Sequence, residues 1–133
     1  MSQEPYPVLW IGQVAVVTLP EEIDVTIADS VREELLAILD GGATLLVADL
    51  GKTEFCDSAG VSALVQTYRR ASASGHPMRL VVGTPAVQRV LSITGVDRLV
   101  DIFPSVAASL AGTPGPVDQV FPAATADTDG GGA

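Results

Sequence analysis

The chain has 133 residues and a mass of 13.7 kDa, and 47% of its residues are apolar, which is enough for one hydrophobic core. This composition, with a mean hydropathy of +0.39, excludes a chain that is disordered throughout. Sixteen acidic residues against seven basic ones give a net charge of −9, which disfavours nucleic acids and anionic membrane surfaces as partners.

The sequence also predicts the localisation of the protein. Its two longest uncharged stretches, residues 5–20 and 102–117, have 16 residues each, too few for a membrane-spanning helix. No lysine or arginine precedes Arg32, so the basic region of a secretory signal is missing, and the lone cysteine, Cys56, can form no internal disulfide. We therefore expect a cytoplasmic protein.

A β-hairpin followed by a helix is predicted for the first 40 residues. Apolar, β-branched runs at 8–11 and 14–19 flank Gly12-Gln13, and glycine supplies the positive φ that a two-residue type II′ turn requires. A capping box of Thr26 and Asp29 then opens a helix that ends at Gly41-Gly42. That helix is indicated by apolar residues at three- and four-residue intervals: Ile27, Val31, Leu35, Ile38 and Leu39.

Strands and helices alternate through the following segments. Residues 44–50 are almost continuously apolar, which is typical of a parallel strand buried on both faces. Thr84 and Pro85 predict the start of a helix, as its N-cap and its first residue. The remaining predicted elements are a helix from Ser58 to the break at Gly75-His76-Pro77, a strand over 78–83, the helix from Thr84-Pro85 up to Gly95, a short strand over 99–102 and a small helix over 104–111.

This alternation predicts the α/β fold class: a single domain in which an N-terminal hairpin leads into a mostly parallel sheet of about five strands, with about four helices. Residues 1–7 are an N-terminal extension and residues 8–111 are the domain. Residues 112–133 are an acidic, Gly/Pro-rich tail that we expect to be disordered, although an apolar island at 117–121 leaves a docking segment open.

The most informative segment, residues 52–61, lies between a buried strand and a helix. Ser58, Ala59 and Gly60 open that helix, where free backbone N–H groups and the positive end of the macrodipole would stabilise an anion bound to Ser58. The alternative is that Asp57 or Ser58 is only the N-cap of the helix.

An enzymatic role has less support. Residues 56–60 imitate the G-x-S-x-G nucleophile elbow, but no acidic residue lies between Ser58 and the single histidine, His76, so the triad order of that fold fails. A serine hydrolase using Ser58 stays a remote alternative. Cys56 follows an apolar strand, where a structural cysteine is commoner than a nucleophile. Neither metal-ligand spacing nor a nucleotide-binding motif occurs, so we expect no metal and no cofactor.

Loops that follow parallel strands gather at the carboxyl edge of their sheet. Asp24, Asp57, Ser58 and Thr84 are therefore predicted to share one acidic, polar end of the domain. An end of this kind suits recognition better than chemistry.

Three segments together resemble the STAS domain of bacterial anti-sigma factor antagonists, over residues 8–111: Lys-Thr-Glu-Phe-Cys-Asp-Ser-Ala-Gly-Val at 52–61, Glu-Ile-Asp-Val at 22–25 and Leu-Ser-Ile-Thr-Gly-Val-Asp at 91–97. The resemblance implies that an anti-sigma factor, itself an ATP-dependent serine kinase of the GHKL type, phosphorylates Ser58, and that a metal-dependent serine phosphatase removes the phosphate. It also implies that the unphosphorylated protein binds the anti-sigma factor and releases the sigma factor, that phosphorylation abolishes this binding, and that the domain catalyses nothing.

The resemblance further suggests a partner-binding surface. Asp24 matches a family aspartate that contributes to docking, whereas Pro20-Glu21 stands where family members usually carry glycine, so this loop departs from the family pattern. Ser62 and Thr53 are the fallback phosphate acceptors. A scaffold or ligand-sensing subunit of a larger regulatory assembly is the alternative function. The residues expected to contact the partner are Asp24, Asp57, Ser58, Ala59, Gly60, Ser62 and Thr84.

Overall fold

The structure, a computed structural model, describes residues 6–111. Strands and helices alternate along this part of the chain, so the predicted α/β class is confirmed. The strands are β1 (Val8–Ile11), β2 (Val14–Thr18), β3 (Glu22–Ile23), β4 (Leu45–Leu50), β5 (Phe55–Cys56), β6 (Met78–Val82) and β7 (Asp101–Phe103). The helices are α1 (Ala28–Asp40), α2 (Ser58–Ala73), α3 (Pro85–Thr94) and α4 (Val106–Leu110).

Five of these strands form the main sheet, in the order β1-β2-β4-β6-β7. β1 pairs antiparallel with β2, and the three other pairs are parallel, so the mostly parallel sheet is confirmed. The hairpin between β1 and β2 is confirmed as well, because Gly12-Gln13 is its two-residue loop and Gly12 has a φ of 61°.

The main sheet separates two apolar layers, because successive strand residues point to opposite faces. One layer lies between the sheet and the first three helices, and the other includes α4 on the opposite face. The interior strands are therefore apolar on both faces, which explains the continuous apolar run of β4. Fully buried members of the first layer include Val17, Leu46, Leu80, Leu35, Leu64 and Leu91, and the second layer includes Val16, Val47, Val81 and Leu110.

The start of α1 differs from the prediction. Ile27 is the N-cap residue and makes no side-chain cap, so the predicted capping box of Thr26 and Asp29 is wrong. Thr26 bonds instead to the Asp24 carboxylate, through both its hydroxyl and its backbone N–H. The Asp24 carboxylate, two residues before Thr26, therefore binds the threonine hydroxyl that the capping box would have used.

The last strand also lies later than predicted, at Asp101–Phe103 instead of 99–102. A 3-10 turn at Val96–Arg98 follows α3, and the chain then buries Val100 before it joins the sheet. The predictions for residues 1–5 and 112–133, including the disordered tail and the apolar island at 117–121, fall outside the described residues. Within residues 6–111, no helix combines the length and the apolar character needed to cross a membrane.

Candidate functional site

A two-stranded parallel ribbon, formed by β3 and β5, positions the candidate site and was not predicted from the sequence. Glu22 pairs with Phe55, and Ile23 pairs with Cys56. Ile23 and Cys56 are buried, whereas Glu22 and Phe55 are exposed. One face of the ribbon therefore packs on the domain and the other face points outward.

The ribbon brings Asp24 and Asp57 together. Each aspartate directly follows one member of the Ile23–Cys56 pair, and the Asp57 N–H donates to the Ile23 carbonyl oxygen at 3.1 Å. Neighbouring strands lie about 5 Å apart, so the two aspartates are adjacent at the end of the ribbon.

Asp57 is the N-cap of α2, and its Oδ1 accepts a hydrogen bond from the Gly60 N–H at 3.0 Å. The capping interpretation of this segment is therefore correct for Asp57. Ser58 is the first residue of the helix and is exposed. Because the Asp57 carboxylate makes the cap, the Ser58 hydroxyl is left at the surface beside the first turn of backbone N–H groups.

Gly60 allows the start of α2 to lie directly against the ribbon. A Cβ atom at this position would be 2.7 Å from the Cys56 Sγ and 2.8 Å from the Ile23 Cγ2. Both distances are shorter than real carbon contacts, so only glycine fits. Gly60 is buried, and its part in the site is to hold the helix against the strands.

The Cys56 side chain is a structural group. Burial raises the pKa of its thiol from 9.0 to about 11, and the neighbouring Asp57 carboxylate contributes to the increase. The thiol is therefore protonated near neutral pH and is a poor nucleophile, as the sequence suggested.

The Asp24 carboxylate has a fixed local arrangement. Its Oδ1 accepts the Thr26 hydroxyl at 2.5 Å and the Thr26 backbone N–H at 2.9 Å. These two bonds, the hydroxyl first, lower the pKa of Asp24, so the carboxylate is ionised at neutral pH.

A buried threonine ties together the loops that follow three strands of the main sheet. The Thr53 hydroxyl donates to the Pro20 carbonyl oxygen at 2.8 Å, and the Thr53 carbonyl oxygen accepts from the Thr84 hydroxyl at 3.2 Å. Thr84 also caps α3 by accepting the Val87 N–H, as predicted. Since Thr53 is fully buried, it is not an accessible phosphate acceptor, and that fallback assignment is wrong.

The surface around Ser58 combines negative charge with apolar area. The Glu54 N–H donates to the Glu21 carbonyl oxygen at 2.7 Å, which adds two exposed glutamates beside the ribbon. Phe55 is 50% exposed and Val25 is 72% exposed, and sequence reasoning assigned neither of them to the site. The sequence carries no pattern that would have found Phe55, because a two-residue strand is too short to show alternation. In the folded ribbon Cys56 is buried, so its neighbour Phe55 points outward.

The other predicted contact residues lie on α2. Ser62 is exposed one helical turn after Ser58, and its hydroxyl oxygen accepts from the Gln66 Nε2 at 2.9 Å. Ala59 is half-buried between Ser58 and Gly60. Ser58 and Ser62 therefore offer their hydroxyls to solvent.

The structure excludes His76 as a general base for Ser58. His76 follows the far end of α2, a helix of 16 residues that is about 24 Å long. Within residues 6–111, no group of three His, Cys, Asp or Glu side chains could hold a metal ion. Among the described residues, the geometry at Ser58 presents an exposed hydroxyl on a polar surface of the kind that suits recognition.

Together, the fold and the site define a class: a small α/β domain whose loops, at the carboxyl edge of the sheet, present an exposed serine at a helix start. Residues 8–109 match the family model described as the STAS domain, and the chain belongs to this family.

Named relatives and solved structures resemble the chain over most of its length. It is 30% identical to the anti-sigma-B factor antagonist of Bacillus subtilis, over 65% of this chain and 78% of that protein. The crystal structure of an anti-sigma factor antagonist from Mycobacterium paratuberculosis is 27% identical with a TM-score of 0.74, over 80% of this chain and 90% of that one. SpoIIAA of Bacillus, in its phosphorylated form, shares the fold at 18% identity and a TM-score of 0.64, over 82% of this chain and 99% of that one.

Proposed function

We propose that the protein is an anti-sigma factor antagonist and that phosphorylation of Ser58 switches its binding to an anti-sigma factor. The observation that carries the proposal is the position of Ser58, an exposed hydroxyl at the first residue of α2. Membership of the STAS family and 30% identity to a named anti-sigma factor antagonist support it. In its unphosphorylated form the protein binds the anti-sigma factor, and the sigma factor is thereby released. The protein therefore acts by binding and not by catalysis, and it does so in the cytoplasm.

The domain is suited to carry the phosphate without refolding. A phosphoryl group adds a charge of about −1.5 to −2, which backbone N–H groups and the macrodipole stabilise at a helix start. The Asp57 carboxylate, and not Ser58, caps α2, so modifying Ser58 leaves the cap intact. SpoIIAA has been solved in a phosphorylated form, which supports the expectation that this fold accommodates the group.

The phosphate would weaken partner binding through local charge and desolvation. It would lie next to the Asp57 carboxylate and near the ionised Asp24, on a surface that also exposes Phe55. Docking a partner there requires removing water from a dianion and tolerating like charges. A difference of about 3 kcal/mol in binding free energy changes affinity more than a hundredfold, enough for a switch without a conformational change.

The partner that fits this proposal is an anti-sigma factor that is itself a GHKL-type serine kinase, with a metal-dependent serine phosphatase reversing the mark. Incubation with such a kinase and ATP is expected to add one phosphate, measured as an increase of about 80 Da in intact mass. The Ser58→Ala variant should gain no mass. The Ser72→Ala variant is the matched control, because Ser72 is also exposed on α2 but lies near the far end of the helix, outside the expected contact surface, and it should be labelled like the unmodified protein. Full labelling of Ser58→Ala would refute the assignment.

The sequence left two alternative functions open, a serine hydrolase and a scaffold or ligand-sensing subunit. A serine hydrolase is not proposed, because His76 follows the far end of α2 from Ser58. No specific observation favours a scaffold or ligand-sensing subunit over a protein that binds an anti-sigma factor directly.

A further inference from the structure

Phe55 is an aromatic side chain on the outward face of the β3–β5 ribbon. It is 50% exposed and lies opposite Glu22, which is exposed as well. The Phe55 N–H donates to the Glu21 carbonyl oxygen at 3.2 Å, which fixes the backbone at this point. Because its neighbour Cys56 takes the inward position of the strand, the ring of Phe55 stays on the outer face.

The position of this ring sets it apart from other exposed apolar groups. Phe55 and Trp10 are the two exposed aromatic residues among residues 6–111. Trp10 pairs with Ala15 near the start of β2, towards the other edge of the sheet, whereas Phe55 lies three residues before Ser58. Aromatic rings gain free energy on leaving water and are enriched at the centres of protein interfaces. Phe55 therefore adds an apolar contact point to the candidate site.

Acidic side chains surround this contact point. Residues 20–25 and 52–58, the two segments that form the site, contain one basic residue, Lys52, and five acidic residues: Glu21, Glu22, Asp24, Glu54 and Asp57. A second copy of the chain, with its own net charge of −9, would be repelled. The charge of this surface fits a partner surface that is rich in arginine and lysine.

We propose that Phe55 is the apolar anchor of the complex and enters a pocket of the anti-sigma factor that arginine and lysine side chains surround. This inference rests on the proposed function, because it takes the anti-sigma factor as the occupant. Binding energy at protein interfaces is concentrated in a few desolvated side chains, so Phe55 governs how long the complex lasts. The surrounding carboxylates govern how fast it forms, because exposed charges steer the encounter.

This arrangement is compatible with a phosphate switch at Ser58. A kinase that modifies Ser58 has to bring the phosphates of its nucleotide to that hydroxyl. The basic side chains of the partner therefore face the ribbon, whereas negative phosphates face Ser58. Phe55 stabilises the complex of the unmodified protein, and a phosphate on Ser58 opposes the same complex by repulsion between like charges.

The test measures association and dissociation rates by stopped flow, with the anti-sigma factor kinase that adds the 80 Da increment, loaded with ADP. Phe55→Ala should raise the dissociation rate about thirtyfold and leave the association rate within about twofold. Phe55→Leu, which keeps an apolar side chain, should lose less. Glu22→Gln should instead lower the association rate several-fold at low salt and have little effect at about 0.5 M salt.

Trp10→Ala is the matched control, because it removes an aromatic side chain of similar exposure, 45%, from outside the site. It should bind like the unmodified protein. Urea midpoints of the Phe55 variants should stay close to that of the unmodified protein, which separates lost binding from lost folding.

Two results would overturn the anchor and leave the proposed function intact: a Phe55→Ala variant that binds with unchanged affinity, or one whose loss of affinity lies in the association rate alone. A kinase that neither labels nor binds the unmodified protein would refute the proposed function, and the anchor with it. Equal weakening by Trp10→Ala and Phe55→Ala would also overturn the anchor, because the effect would then not be specific to the ribbon.

Discussion

The backbone N–H of Asp57 donates a hydrogen bond to the carbonyl oxygen of Ile23, with 3.1 Å between the two atoms. This bond extends the β3–β5 ribbon by one residue, and it fixes the N-cap of α2 against the segment that carries Asp24. Ser58 consequently stands where loops from two different strands of the main sheet meet. An exposed hydroxyl on so firmly held a backbone is well placed to be recognised by one protein and modified by another.

Replacing Gly60 with alanine should destabilise the protein. Inside a helix this change normally adds about 1 kcal/mol of stability. Here the new Cβ would lie 2.7 Å from the Cys56 Sγ and 2.8 Å from the Ile23 Cγ2, and such overpacking costs about 1 to 3 kcal/mol. We expect a lower urea midpoint, with Ser62→Ala in the same helix as a nearly neutral control. A Gly60→Ala protein more stable than the unmodified one would show that the ribbon does not hold α2 at this point.

Substitutions at Asp57 separate the helix cap from the charge. Asp57→Ala removes the acceptor for the Gly60 N–H and should lower the free energy of unfolding by about 1 kcal/mol. Asp57→Ser keeps a capping oxygen and should be close to the unmodified protein in stability, while it removes the negative charge beside Ser58. Chemical denaturation of both variants checks this expectation. Equal losses in the two variants would mean that the charge, and not the cap, stabilises the start of α2.

The Cys56 thiol should react slowly in the folded protein. Its pKa is raised from 9.0 to about 11, so near pH 8 the thiolate fraction, and with it the alkylation rate, should fall about a hundredfold relative to the unfolded chain. Iodoacetamide labelling with and without denaturant measures the ratio. Equal rates would indicate that the thiol is not buried.

The raised pKa of the Cys56 thiol also makes the free energy of unfolding depend on pH. Above pH 9 the unfolded chain loses its thiol proton first, so the contribution of Cys56 is complete below pH 9 and is lost as the pH rises through about 11. A Cys56→Ala variant should lose less free energy of unfolding across this range than the unmodified protein does. The difference between the two curves isolates the thiol from lysine and tyrosine, which titrate in the same range.

Long periodic elements were predictable from the sequence, because burial on one or two faces leaves a readable pattern. The apolar run of residues 44–50 became β4, and Thr84-Pro85 opened α3 as expected. The ribbon was missed because two-residue strands are too short to show alternation, and its existence depends on pairing between segments about 33 residues apart.

Local hydrogen-bond competition accounts for a second error. Thr26 and Asp29 have the spacing of a capping box, but Thr26 bonds to Asp24 and Asp29 bonds to Arg32. Sequence spacing cannot show which of several nearby acceptors a threonine will choose. The position of the candidate site was nevertheless predictable, since Asp24, Ser58 and Thr84 follow strands whose carboxyl ends share one edge of the sheet.

We propose that one phosphate on Ser58 decides whether the anti-sigma factor is bound. Titration calorimetry can compare the unphosphorylated protein with the same protein phosphorylated at Ser58, each titrated with a cognate anti-sigma factor loaded with ADP so that no transfer occurs. Ser58→Ala, which cannot be modified, should bind like the unphosphorylated protein. We predict an affinity more than about a hundredfold lower for the phosphorylated form. Equal affinities of the two forms would show that phosphorylation of Ser58 does not control binding of the anti-sigma factor.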